Sequence, residues 1–397
     1  MSYYLLLIKN NIKMLIKIIK KVNSILFEFK LYIIFIFIIS NNYYTKKYVI
    51  RERNLLKGRK YLDKCLKSYL NNTVYQESFN PSVTVIIPIY NCQNSINNTI
   101  SSIQSQKMID IEILLVNDKS TDYSLSIIKN LLKTDKRIKL INNKKNMGTL
   151  YSRSIGVLQA KGKYIFPLDN DDMLFDDDVF SIIYEEAYNS NYDIVGFNSI
   201  HAHNYEATIK EMKDGCHMHD KNITIYKPNL SLFGISYKGI FKIVEVHIWS
   251  KCIKNSIYKK AVNFLGRERY SFFMSWAEDS SMVFVLFNVA DSYRYITKYG
   301  IIKFNRKNSA ENSMPTSHKL FGEIFFLDVI FDFTQNDFKS KKFAVYQAIS
   351  LRNSKFYESL NEFNIRYLKK TLKKLLSCSY IINSDKIKLK NIFQNII

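Results

Sequence analysis

Between Val83 and Phe197 one alternation repeats, and it constrains the fold more than any other feature of the sequence. Val83-Thr84-Val85-Ile86-Ile87-Pro88 is a short β-branched run that fits a buried strand closed by proline. Ser95–Ile103 then has helical spacing, Ile111–Val116 reads as a strand, Ser124–Leu132 as a helix and Arg137–Ile141 as a strand. A helix over Thr149–Gln159, a strand over Tyr164–Leu168, a helix over Asp176–Asn189 and a strand over Asp193–Phe197 complete the series. This rhythm predicts an α/β domain with an open, mostly parallel sheet and helices on both faces. In such sheets ligands bind outside the carboxyl ends of the strands. The polar motifs stand there: Tyr90-Asn91, Asn117-Asp118, Asn146 with Gly148, and Asp169-Asn170-Asp171-Asp172. No GxGxxG and no GxxxxGK[ST] occurs, so neither a dinucleotide fingerprint nor a P-loop accounts for them.

Charge separates the centre from the ends. The 397 residues carry a formal charge of +23. Residues 1–80 contribute +11 and residues 339–397 contribute +10, so the centre holds only +2. A nucleic-acid-binding fold would carry its charge on the central domain, and no nucleic-acid partner is expected. Aromatic content of 14% excludes wholesale disorder, and 11 glycines with 5 prolines exclude collagen-like and Pro-rich classes. From Leu5 to Leu26 apolar residues recur at helical spacing among Lys9, Lys13, Lys17, Lys20 and Lys21, and Leu31–Ile39 is uninterrupted apolar sequence. Residues 1–40 are therefore expected to form a membrane-associated helix, with a basic linker over 41–80. Lysines and arginines flank both sides of the run, which leaves the side of the membrane open.

The acids of 169–178 divide in two. Asp176, Asp177 and Asp178 suit the first turn of a helix. Asp169, Asp171 and Asp172 directly follow an apolar strand, where concentrated carboxylates repel one another unless a cation joins them. Oxygen ligands of this kind suit Mg²⁺ or Mn²⁺. Among other candidates, Cys216-His217-Met218-His219-Asp220 has only adjacent ligands and reads as a solvated loop rather than a zinc site. The five cysteines form no CxxC pair.

Taken together, VTVIIPIYN (83–91), VNDKSTD (116–122), NMGTLYSRSIG (146–156) and GKYIFPLDNDD (162–172) resemble the family 2 glycosyltransferases of the GT-A fold, in order and in spacing. Trp249-Ser250-Lys251, Trp276-Ala277-Glu278-Asp279 and Asn305-Arg306-Lys307-Asn308-Ser309 look like later motifs of that family. The resemblance implies a GT-A, Rossmann-like domain over 81–320, with a nucleotide half at 81–200 and an acceptor half at 201–320. A basic helical region would follow at 321–397. It implies an inverting, metal-dependent transfer of a single sugar from a nucleotide-sugar, a UDP-sugar, to a hydroxyl on a glycan, lipid or protein acceptor. Pro88 and Tyr90 would flank the nucleotide base, Asp118 would bind base or ribose, and Arg153 would lie near the diphosphate or base. Asp169 and Asp171 would form the DxD, with Asp171 the direct ligand of Mn²⁺ or Mg²⁺. Asp279 would be the general base, with Glu278 its rival. The chain departs from the family at Asn117, Lys119 and Ser154, where acid, glycine and asparagine are usual, and it lacks the QxxRW of processive synthases. An inactive sugar-nucleotide-binding module and a nucleotidyltransferase are the alternatives. The stripe Leu368, Leu372, Leu375 and Leu376 among Lys369, Lys370, Lys373 and Lys374 predicts a packed helix whose basic face meets solvent, a membrane or an acceptor.

Overall fold

Strand β1 (Val83–Ile89) is buried along its whole length, as a β-branched run in mid-sheet should be. It belongs to a computed structural model that describes residues 81–202, 213–214, 221–228, 235–236, 239–240, 247–274, 276–304, 315–333, 348, 362–377, 381 and 383–394. The expected membrane helix and linker of 1–80, the Cys216–Asp220 loop and the Asn305–Ser309 motif lie outside those residues.

The first half follows the expected alternation: β1, α1 (Ile96–Gln104), β2 (Ile111–Asn117), α2 (Ser124–Thr134), β3 (Ile138–Asn142), α3 (Thr149–Gln159) and β4 (Tyr164–Pro167). Strands pair in parallel in the order β3-β2-β1-β4. Pro88 sits in a central strand without cost to the ladder on the β4 side, because that pairing ends at Ile86–Pro167. Gly156 lets α3 lie close on the sheet, since a Cβ there would meet the Ile86 side chain at 2.6 Å.

Beyond β4 the sheet becomes mixed. The short β5 (Met173–Leu174) leads to α4 (Val179–Asn189) and β6 (Ile194–Ala202). Next come β7 (Lys213–Asp214), β8 (Ile223–Tyr226) and a two-stranded sheet of β9 (Ile235–Ser236) and β10 (Gly239–Ile240). Strand β11 (Lys251–Lys254) enters antiparallel between β4 and β6. After α5 (Asn255–Tyr270) and α6 (Glu278–Val289), β12 (Ser292–Phe304) runs parallel to β6 and antiparallel to β5 and β8. The expectation of a mostly parallel sheet thus holds for 83–167, and the later strands depart from it. Helix α4 starts three residues later than its acids suggested. Lys298 draws Asp176 and Asp178 to itself at 2.5 and 2.7 Å, and Lys107 pairs with Asp177 at 2.8 Å, which holds the three acids in a turn ahead of the helix.

Helix α7 (Thr316–Phe333) is apolar on nearly every side and buried accordingly. Its Phe326 meets Phe284 of α6 edge-on at 5.9 Å, so it shares the core of α5 and α6. The amphipathic α8 (Glu362–Ser377) buries the predicted Leu368, Leu372 and Leu375, and α9 (Asn383–Ile392) follows. Among the described residues no helix is long and apolar enough to cross a membrane.

One buried carboxylate ties these helices together. Asp328 of α7 accepts from Arg269 at 2.9 and 3.1 Å, from the Tyr367 hydroxyl at 3.0 Å and from Lys374 at 2.9 Å. Burial alone would raise this carboxyl, but the cations outweigh it and hold it below the ordinary range. Removing such an acid strands buried cations. Asp328→Ala should therefore cost about 3 kcal/mol, measured as a lower urea midpoint, with Asp328→Asn in between. An unchanged midpoint in both variants would show that the network contributes nothing.

Candidate active site

Three loops at the carboxyl ends of β1, β2 and β3 are stitched together by side-chain bonds. Asn91, with a left-handed φ of 48°, accepts the Thr121 amide at 2.8 Å. Asn117 accepts from Ser120 at 3.1 Å and donates to Asn142 at 3.0 Å. Lys119 has φ 64°, a conformation that glycine adopts freely, which gives a physical reason for the glycine usual at this place. Asp118 is buried and accepts from Asn143 at 2.8 Å, Met147 at 2.9 Å and Gly148 at 2.7 Å, so it shapes the loop 143–148. Pro88 is buried and its carbonyl accepts from Asn170 at 2.8 Å. Tyr90, by contrast, is 46% exposed at the mouth of the loop.

Loop 143–148 also touches the segment that carries the later acids. Gly148 has φ 84° and bridges to Met274, and a Cβ there would lie 2.5 Å from the Met274 carbonyl oxygen. Three residues on, Ala277 takes a left-handed φ of 56° and α6 begins at Glu278 and Asp279. On the far side Gly322 of α7 presses the Trp276 carbonyl, which a Cβ would meet at 2.3 Å. Glu278 and Asp279 thus stand in the first turn of a helix, where the backbone dipole favours negative charge.

Arg153 of α3 joins the two acidic regions. It is only 5% exposed. Its Nη2 donates to Asp169 at 2.5 Å and its Nη1 to Asp279 at 2.5 Å, with Glu278 at 3.5 Å. Asp279 also accepts the Ile248 amide at 3.2 Å. Leu150, Ile248, Tyr258 and Met282 complete the lining of a small cleft around these groups. Burial disfavours the Arg153 charge, yet Asp279 and Asp169 reverse that and keep it firmly protonated. Burial likewise opposes the charged form of Asp169, and Arg153 overcomes it and holds the carboxyl below its ordinary value. Glu278 goes the other way. Burial first, then the neighbouring Asp279, pushes it up to about 7.

Asp169, Asp171 and Asp172 bring carboxylate oxygens within 4.8 Å of one another at the end of β4. Asp172 is 1% exposed; its Oδ1 accepts the Phe304 amide at 3.3 Å, and its Oδ2 has no hydrogen-bond partner. Burial, and then Asp171, pushes Asp172 well above the ordinary carboxylate range. A buried oxygen without a donor, in a set of hard oxygen ligands, fits a divalent cation. Nearby, Trp249 stacks on His247 at 4.8 Å and carries the Lys303 ammonium 4.8 Å above its ring. Lys251 donates to the His247 carbonyl at 2.6 Å and fixes the turn over Ile248–Ser250.

The structure brings together Arg153, Asp169 and Asp279 on one guanidinium, and Asp171 beside Asp169. Pro88, Tyr90 and Asp118 line the loops of the first two strands. From the sequence Asp172 stood in the acidic cluster without being named a ligand beside Asp169 and Asp171, and Lys303 was not singled out. The doubled acid of Asp171-Asp172 was the signal for the first. Lys303 lies in a strand without a motif.

Residues 84–242 match the family profile described as Glycosyl transferase family 2. An uncharacterized glycosyltransferase of Haemophilus influenzae is 40% identical over 97 residues, 24% of this chain and 39% of that protein. Chondroitin synthase of Pasteurella multocida is 38% identical over 99 residues, 25% of this chain and 10% of that protein. The matched stretch therefore spans well under half of either relative. Among solved structures, S. aureus TarS 1-349 in complex with UDP-GlcNAc superposes with a TM-score of 0.55 at 13% identity, covering 79% of this chain and 87% of that one. At that identity the likeness speaks for the fold.

The Glu278 value fixes a pH dependence. Its carboxyl rises from an ordinary 4.5 to about 7 on folding, so between those values the folded protein keeps a proton that the unfolded chain releases. Stability then falls as pH rises through that window. Glu278→Gln removes the penalty. It should match wild-type stability at pH 4 and exceed it at pH 8 by on the order of 3 kcal/mol, read as a higher thermal midpoint. A constant difference across pH would contradict this.

Proposed function

We propose that this family 2 glycosyltransferase moves a single sugar from a UDP-sugar to an acceptor hydroxyl, inverting the anomeric carbon. The observation that carries the reading is Arg153, which ties the acid at the end of β4 to the acid at the start of α6 within one cleft. Support for the donor comes from the family profile and from the UDP-GlcNAc held by a protein of like fold.

Exposed Tyr90 would stack on the base, beside Pro88, while Asp118 serves the base or ribose through the loop it holds. Asp171, Asp169 and Asp172 would hold Mn²⁺ or Mg²⁺. A cation bound there supplies positive charge opposite a departing diphosphate. Asp279 takes the proton from the acceptor hydroxyl as its oxygen attacks the anomeric carbon. The bond to the UDP oxygen breaks on the opposite face. Arg153 and the Ile248 amide hold the Asp279 carboxylate in place, so its position is set before the acceptor arrives. Glu278, raised to about 7, is the second candidate base. The acceptor is a glycan, lipid or protein hydroxyl, and the basic, apolar sequence of 1–40 would keep the enzyme at a membrane.

UDP release measured across a panel of UDP-sugars with Mn²⁺ tests the reading directly. One donor should release UDP well above the others, and none doing so would refute it. Asp171→Ala and Asp279→Asn should each lower kcat by at least a hundredfold with the fold retained by circular dichroism. Full activity in Asp279→Asn, with loss in Glu278→Gln, would move the base to Glu278.

A further inference from the structure

Lys303 has no part in the reading so far, yet it stands among the acids on which that reading depends. On β12 the pairing Ile302–Met173 sets Lys303 beside Asp172, and the next amide, Phe304, donates to Asp172. The side chain is half-buried and its ammonium lies over the Trp249 face, 4.8 Å from the ring centre. Burial opposes the Lys303 charge, but Asp172, Asp169, Asp171 and Asp279 together raise it. Among the described residues none of these carboxylates is within ion-pair distance of it. The ammonium is thus held in the field of the acids by an aromatic face, with its N–H donors uncommitted to any of them. The buried Asp172 Oδ2 has no hydrogen-bond partner.

We propose that Lys303 is a resident counter-cation of the acidic triad and a phosphate-binding residue: it weakens divalent metal binding in the empty site and receives the diphosphate of the donor. The inference rests on the nucleotide-sugar reading above. Lys303 and an entering divalent ion compete for the same carboxylates. A fixed positive charge beside three carboxylates repels a divalent ion entering alone. A diphosphate brings negative charge that satisfies both the ion and the ammonium. Metal and donor then bind with positive coupling, and by linkage each tightens the other by the same factor. A lysine suits this role because its ammonium is a compact, movable point charge.

The test is Mn²⁺ binding by electron paramagnetic resonance on the full chain, without nucleotide, followed by calorimetry with UDP and with uridine. In Lys303→Met, Mn²⁺ alone should bind at least about tenfold tighter, a lower bound for removing a unit charge that acts on a divalent ion from several ångströms away at an effective dielectric near 20. UDP with saturating Mn²⁺ should bind about tenfold weaker, and uridine should be unaffected. Lys303→Arg keeps the charge and should keep the wild-type coupling, which separates lost charge from a damaged fold. Mn²⁺ and UDP affinities within twofold of wild type in Lys303→Met would overturn the role of Lys303 while leaving the glycosyltransferase reading intact. Absence of Mn²⁺ binding in every variant, with and without UDP, would overturn the metal site and this inference with it.

Discussion

A single buried guanidinium holds the acidic cleft together. Desolvating Arg153 is expensive, and it is tolerated only because Asp169, Glu278 and Asp279 surround it. The dependence runs both ways. Without the guanidinium three carboxylates would face one another in a poorly solvated cleft, and their repulsion would open it. The planar fork of arginine reaches two acids on separate elements at once, a geometry that a lysine ammonium does not reproduce. The separation between the end of β4 and the start of α6 is therefore set by one side chain of α3.

Charge in this protein is organised by place rather than by total. The basic excess lies in the terminal sequence, while the centre is nearly neutral overall. Within that centre the acids are concentrated at strand ends and offset by two cations of different character. Arg153 is locked into bidentate pairing. Lys303 lies over an indole, and among the described residues it forms no ion pair with the triad carboxylates that act on it. The first arrangement gives rigidity, and the second leaves the ammonium placed by an aromatic face.

Much of the nucleotide half was legible because its signals are local. Helix α3 coincides with the residues read from the sequence, and β1 and β2 extend only one residue beyond the runs that announced them. Asp169 and Asp279 could be singled out separately, but their meeting on Arg153 spans 126 residues from 153 to 279 and has no local trace. The antiparallel entry of β11 was hidden for a similar reason. Lys251-Cys252-Ile253-Lys254 is too short to declare a direction, and its place is set by Ile165 on one side and Val195 on the other. Helix α4 misled because three acids suit a first turn, whereas a lysine 120 residues away binds two of them first. Lys303 carried no signal, since its chemistry comes from neighbours on β5 and on the turn before β11.

The two glycines that touch segment 274–277 make it a clamped hinge pin. Gly148 bears on it from the nucleotide loops and Gly322 from the C-terminal helices, each at a distance where even a methyl group has no room. The residues that follow the pin are Glu278 and Asp279. Helix α7 is thus a gauge block that bears on the segment leading into Glu278 and Asp279. A shift at the pin would move Glu278 and Asp279 together, so Gly148 and Gly322 set the place of both acids at once.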